Sequence, residues 1–142
     1  MSNVRQRMRS SLSVVSQDLF AWIDACLSHE LPERTTAFHF NLYEGTDSVR
    51  VELMGTDSFT PGEIPERDYW PGTATFFTDE PRFEVPYEVA GSEWKQWLAT
   101  CMELLRSYVE TGAKSSVLRA SRGVGVGFVD GDMYVLWRSD VA

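Results

Sequence analysis

The sequence predicts an α+β domain: an antiparallel sheet with two helices packed on one face, in the order α-β-β-β-β-α-β-β. Three observations lead there. Two stretches carry apolar residues at steps of three and four, the mark of helices with one buried stripe. Several short stretches alternate apolar and polar residues with a period of two, as half-buried strands do. The strands come in runs between the helices rather than in regular βαβ alternation, which indicates α+β.

The length, 142 residues, corresponds to one domain, here expected to span 1–142. Hydrophobic residues make up 43% and charged residues 24%, proportions suited to a folded core. The first ten residues hold Arg5, Arg7 and Arg9 without a following apolar run. They read as a frayed basic arm, not a signal peptide or membrane span, and a cytoplasmic location is expected.

From Ser11 to His29 the stripe is Leu12, Val15, Leu19, Trp22, Ile23 and Cys26, and Pro32 closes the element. Phe38, Phe40 and Leu42 then alternate with His39, Asn41 and Tyr43 over Thr36–Tyr43. Val49, Val51 and Leu53 alternate with Arg50 and Glu52 over Ser48–Leu53. With turn residues 44–47 between them, these form a β-hairpin whose polar face is expected to be the more open to water. Residues 55–72 are irregular and rich in proline. Thr73–Thr78 and Arg82–Val85 follow as short strands, the second bounded by Pro81 and Pro86 and therefore at an edge.

The second helix carries Trp94, Trp97, Leu98, Cys101, Leu104, Leu105 and Tyr108 on its stripe. Ser92 is its expected N-cap, Gly112 its expected left-handed terminus, and Lys114–Ala120 a further turn. A final hairpin joins Gly123–Val129 to Met133–Trp137 through Asp130-Gly131, a dipeptide favoured in two-residue type I′ loops. That loop pairs Phe128 with Met133, Val126 with Val135 and Val124 with Trp137. It sets Gly127 against Tyr134 and Gly125 against Leu136, so that a helix or those two side chains should cover the glycines.

The charge is unevenly placed. Residues 36–90 hold three basic and eleven acidic residues and account for the whole net charge of −8. Such a surface disfavours nucleic acid; it either keeps the protein soluble or draws a basic partner. No cluster of Cys and His has zinc-ligand spacing, and Cys26 and Cys101 read as reduced core thiols. The alternating glycines 123–127 sit in a strand, not before a helix, so they do not form a phosphate loop. Asp130 and Asp132 read as turn formers. No cofactor is expected and no residue is assigned a catalytic role. A small-molecule site or small enzyme using the open sheet face at His39, Tyr43 and Glu52 is the alternative, and an adaptor role in a larger assembly is a third.

The expected partner-binding residues are Asp57, Glu63, Glu66, Asp68, Tyr69 and Trp70. They combine aromatic anchors with negative charge in a loop, the composition and setting of many recognition surfaces. Residues 37–44 (AFHFNLYE), 52–59 (ELMGTDSF) and 123–132 (GVGVGFVDGD) resemble stretches of small bacterial proteins akin to immunity proteins of polymorphic-toxin systems. The resemblance covers most of residues 36–137. It implies a protein that neutralises one toxin, which could be a basic domain, by tight binding without a cofactor.

Overall fold

A computed structural model describes residues 3–60, 70–78 and 82–139, with side chains from residue 12 onward except Trp70 and Pro71. It is a mixed α+β structure of four helices and a six-stranded sheet, with a separate two-stranded ribbon. In chain order the elements are α1 (Asn3–Cys26), β1 (Ala37–Glu44), β2 (Ser48–Thr56), β3 (Phe59–Thr60), β4 (Trp70–Pro71), β5 (Ala74–Phe77) and β6 (Phe83–Pro86). They continue with α2 (Tyr87–Ala90), α3 (Trp94–Thr111), α4 (Ser115–Arg119), β7 (Gly123–Phe128) and β8 (Tyr134–Arg138).

The sheet runs β5-β2-β1-β7-β8, with β6 beside β5 along the outer edge of β2. The expected hairpin is present, with Phe40 opposite Leu53 and Leu42 opposite Val51. The sheet is not wholly antiparallel, however: β7 lies parallel to β1, with Phe38 opposite Val124 and Phe40 opposite Val126. Connectivity explains the correction. Strand β6 is antiparallel to β2 and so points the same way as β1. The helices then carry the chain back before β7 begins, and same-direction strands need such a crossover.

One face of β1, β2 and β7 presents Phe38, Phe40, Leu42, Val49, Val51, Leu53, Val124 and Val126. All are buried in one cluster with Leu19 and Ile23 of α1 and Leu104, Leu105 and Tyr108 of α3. The opposite face was expected to be open, and here the structure differs. His39 is 2% exposed, and Asn41 and Glu52 are 9% exposed. Polar side chains survive such burial when bonded to one another. Glu52 Oε1 accepts from Asn41 Nδ2 at 3.1 Å and from Tyr43 Oη at 2.9 Å. Its Oε2 accepts from Arg82 Nε at 3.4 Å, and the Arg82 guanidinium lies 3.7 Å from the Tyr43 ring centroid.

Several helix boundaries also move. Helix α1 starts at Asn3 and so takes in residues 3–10, and Leu12 is exposed instead of buried. The N-cap of α3 is Glu93, not Ser92. Gln96 instead reaches back to the residue before the cap: its Oε1 accepts from Ser92 N–H at 2.7 Å and Ser92 Oγ at 3.1 Å. Gly112 has φ −63°, an ordinary extended conformation. It is a glycine because a Cβ there would lie 2.3 Å from the Tyr108 ring.

The final hairpin departs from its expected register. Val124 faces Trp137 as expected, but Gly125 faces Val135 and Val126 faces Tyr134, with a register shift between Val124 and Gly125. A type I′ loop needs positive φ at both central residues. Gly131 does not have it, and its N–H instead bonds Phe128 O at 2.9 Å, closing a tight turn over 128–131. Asp132 and Met133 then run back over Gly127, where a Cβ would meet Asp132 O at 2.4 Å. Backbone, not a helix or the Tyr134 and Leu136 side chains, covers that glycine.

Candidate functional site: an acid-rimmed aromatic cleft

A cavity of about 830 Å³ opens where the last residues of β1, the start of α3 and the β7–β8 loop meet. Its apolar base includes Leu42 and Leu98, both members of the core. Half-buried Trp97, Phe128 and Tyr134 form its sides. The mouth carries Trp94, 54% exposed, and Val129, 53% exposed. Glu44, Glu93, Asp130 and Asp132 stand on the rim, all exposed.

Each group is placed by a local device. The hairpin tip that ends in Glu44 is tied down by Tyr87, whose Oη donates to Gly45 O and whose N–H donates to Asp47 O at 3.1 Å. The Tyr87 ring stacks on Trp97 with centroids 4.3 Å apart and planes 16° from parallel. Trp97 Nε1 donates to Gly91 O at 2.8 Å, which satisfies its polar edge and fixes the ring at the cleft wall. Glu93, the N-cap of α3, makes no side-chain cap bond and is exposed on the rim. The turn that buries Gly127 under Asp132 carries Asp130 and Asp132 to the opposite wall.

The cleft is negative. None of its lining residues is Lys, Arg or His. The described ion pairs, Arg50–Glu84 and Arg82–Glu52, involve no rim carboxylate. Two cations stand against lining rings: the Arg82 guanidinium, 3.7 Å from the Tyr43 ring centroid and paired with Glu52, and Lys95 Nζ, 5.8 Å from that of Trp94, at the outer limit of a cation–π contact. Among the described residues no three His, Cys, Asp or Glu converge on a point that could hold a metal ion.

Of the predicted partner-binding residues, only Asp57 has a described side chain, and it does not line this cleft. Glu63, Glu66, Asp68 and Tyr69 lie outside the described residues. The backbone of Trp70 is placed, opposite Thr60 in the β3–β4 ribbon. Asp57 is exposed, and its Oδ1 accepts from Thr73 N–H at 2.8 Å, so it holds a turn. Asp57 follows Thr56, which pairs with Ala37 at the start of β1, whereas the cleft lies at Glu44, its end. Seven steps of about 3.3 Å separate those ends by roughly 23 Å. Asp57 and Glu44 therefore stand at opposite ends of the β1–β2 hairpin.

Sequence reasoning missed the cleft. Trp94 lies on the helical stripe and read as core, but it is the first residue of α3 and projects beyond the covered turns. Asp130 and Asp132 do form a turn, and that turn is a cleft wall. The one available signal was Trp94 directly after Glu93 at a helix start.

Two other titratable groups, His39 and Cys101, are buried. His39 lines neither described cavity, and burial pushes it down to about 4. Burial pushes the Cys101 thiol up to about 12, away from the thiolate that acts as a nucleophile. A second cavity, about 240 Å³, is lined by Cys26, His29, Phe76, Phe77 and Thr78 among others. No described helix is long and apolar enough to cross a membrane. Compared with models of known protein families, with curated proteins and with solved structures, the chain matches none.

Proposed function

We propose that this chain is a non-catalytic binding protein that neutralises a cognate toxin by holding a basic surface of it, as an immunity protein does. One observation carries the reading: an aromatic cleft whose four rim carboxylates have no basic residue among the lining. Negative potential over apolar surface attracts a positively charged protein and then rewards contact by burying aromatic area. The same field repels phosphate, which sets nucleic acid aside as a ligand. The likeness of residues 37–44, 52–59 and 123–132 to immunity proteins points to a toxin as the basic partner.

The test is capture of a partner by the tagged full chain from cells of its native host, at low and high salt. The retained protein should be basic, released by salt, toxic when produced alone and harmless when produced with this chain. A retained protein that is not toxic, or whose toxicity persists in co-production, overturns the reading. Charge reversal at Glu63, Glu66 and Asp68, together with Trp70→Ala, reports whether the acidic loop shares in the contact. Full affinity in all four variants removes that loop from the interface.

A further inference from the structure

We infer that the occupant of the cleft is an extended segment of the protein partner that inserts arginine or lysine side chains between the aromatic walls. The inference rests on the binding reading above and gives that site a ligand chemistry.

Three features select this occupant. Charge complementarity comes first: carboxylates on β1, at the α3 cap and on the β7–β8 loop surround the opening, and no cation lines it. Second, the walls are rings. Trp94 presents more than half its surface to water, and an exposed indole beside carboxylates suits a guanidinium or ammonium, which gains from the ring face and the acid together. Third, the rim charges are spread. No three of them converge as they would around a single compact ion, and they stand on three elements around about 830 Å³ of space. A segment carrying more than one cation reaches several of them in turn; a lone small cation reaches few.

The experiment uses the isotope-labelled full chain and three probes: an unstructured peptide alternating arginine with glycine, the same peptide with citrulline for arginine, and arginine methylamide. Citrulline keeps the shape and removes the charge. The arginine peptide should give saturable NMR shifts confined to residues around Glu44, Trp94, Val129 and Asp130, including the Trp94 indole. Affinity should fall by about tenfold or more with the citrulline peptide and again with Trp94→Ala. The single-residue cation should bind far more weakly than the peptide. Glu103→Gln, exposed on α3 away from the cleft, should leave binding unchanged. Because Trp94 is exposed, Trp94→Ala should keep the wild-type spectrum elsewhere, and Glu93→Gln with Asp132→Asn gives a second variant that lowers only charge.

Shifts outside the cleft, equal binding of the citrulline peptide, or arginine methylamide as tight as the peptide each overturn the inference, the last by making this a small-cation site. Failure here is distinguishable from failure of the binding reading. A captured toxin that still binds Trp94→Ala at full affinity sinks the occupant and leaves the function standing.

Discussion

Tyr108 and Asp24 join the two long helices through the core: the Tyr108 hydroxyl, at the end of a fully buried ring, donates to Asp24 Oδ1 at 2.5 Å. The ring meets Phe20 edge-on, with centroids 5.0 Å apart and planes at 80°, and its oxygen also accepts from Lys114 N–H at 3.2 Å. Burial, and then the bond to Asp24, raises the phenol above its ordinary value, so it stays protonated and donating. Tyr108→Phe removes a donor to a carboxylate and leaves Lys114 N–H without this acceptor. A loss of about 1–2 kcal/mol is expected in urea unfolding. An unchanged midpoint would show that the bond contributes nothing.

Gly112 faces the same ring, and its role follows from space rather than backbone conformation. At φ −63° and ψ 152° alanine is allowed, yet its Cβ would stand 2.3 Å from Tyr108. Gly112→Ala should therefore destabilise the wild type by about 1–3 kcal/mol, in the range of core overpacking. The penalty should shrink in a Tyr108→Leu background, which a double-mutant cycle reads directly. Equal penalties in both backgrounds would place the strain elsewhere.

Strand alternation was legible because Phe38, Phe40, Leu42, Val49, Val51 and Leu53 repeat at a period of two whatever their neighbours. The parallel β1–β7 pairing was not, since either direction of β7 puts Val124 and Val126 on the same face. The β8 register was lost to a single dihedral: a type I′ turn at Asp130-Gly131 would have set it, and Gly131 does not take positive φ. The cleft was hidden for a different reason. Glu44, Glu93 and Asp132 are far apart in sequence, and only the topology brings them to one end of the sheet.

Glu52 is the hub of the buried polar face and accepts from three donors. Glu52→Ala leaves Asn41 Nδ2 only the weak acceptor Met54 Sδ at 3.7 Å and leaves Arg82 without its carboxylate, so a loss of about 2–4 kcal/mol is expected. Arg82→Ala should cost less, because the Arg82 side chain is 41% exposed and water replaces much of what it gave. Chemical denaturation of the two variants gives the order, and the reverse order would refute the hub.

Gly127 links stability to the cleft. A side chain there must displace the Asp132 carbonyl, 2.4 Å from a Cβ, and with it the turn that carries Asp130 and Asp132. Gly127→Val should lower thermal stability and move the NMR signals of residues 129–133 more than those of α1. Wild-type stability with an unaltered loop would mean that the loop does not rest on the glycine.

His39 gives the fold a pH dependence whose sign is set by burial. Burial lowers its value from 6.5 to about 4, so the unfolded chain binds the proton more readily than the folded one. The contribution is present near pH 7 and is lost as pH falls through the window from 6.5 to 4. Between pH 7 and pH 5 that amounts to about 2 kcal/mol. The informative quantity is the difference between wild type and His39→Gln. Urea unfolding at the two pH values should show a smaller acid loss in His39→Gln, by about 2 kcal/mol, even if that variant is less stable at both. Parallel losses in the two proteins would mean that His39 takes up no extra proton on unfolding.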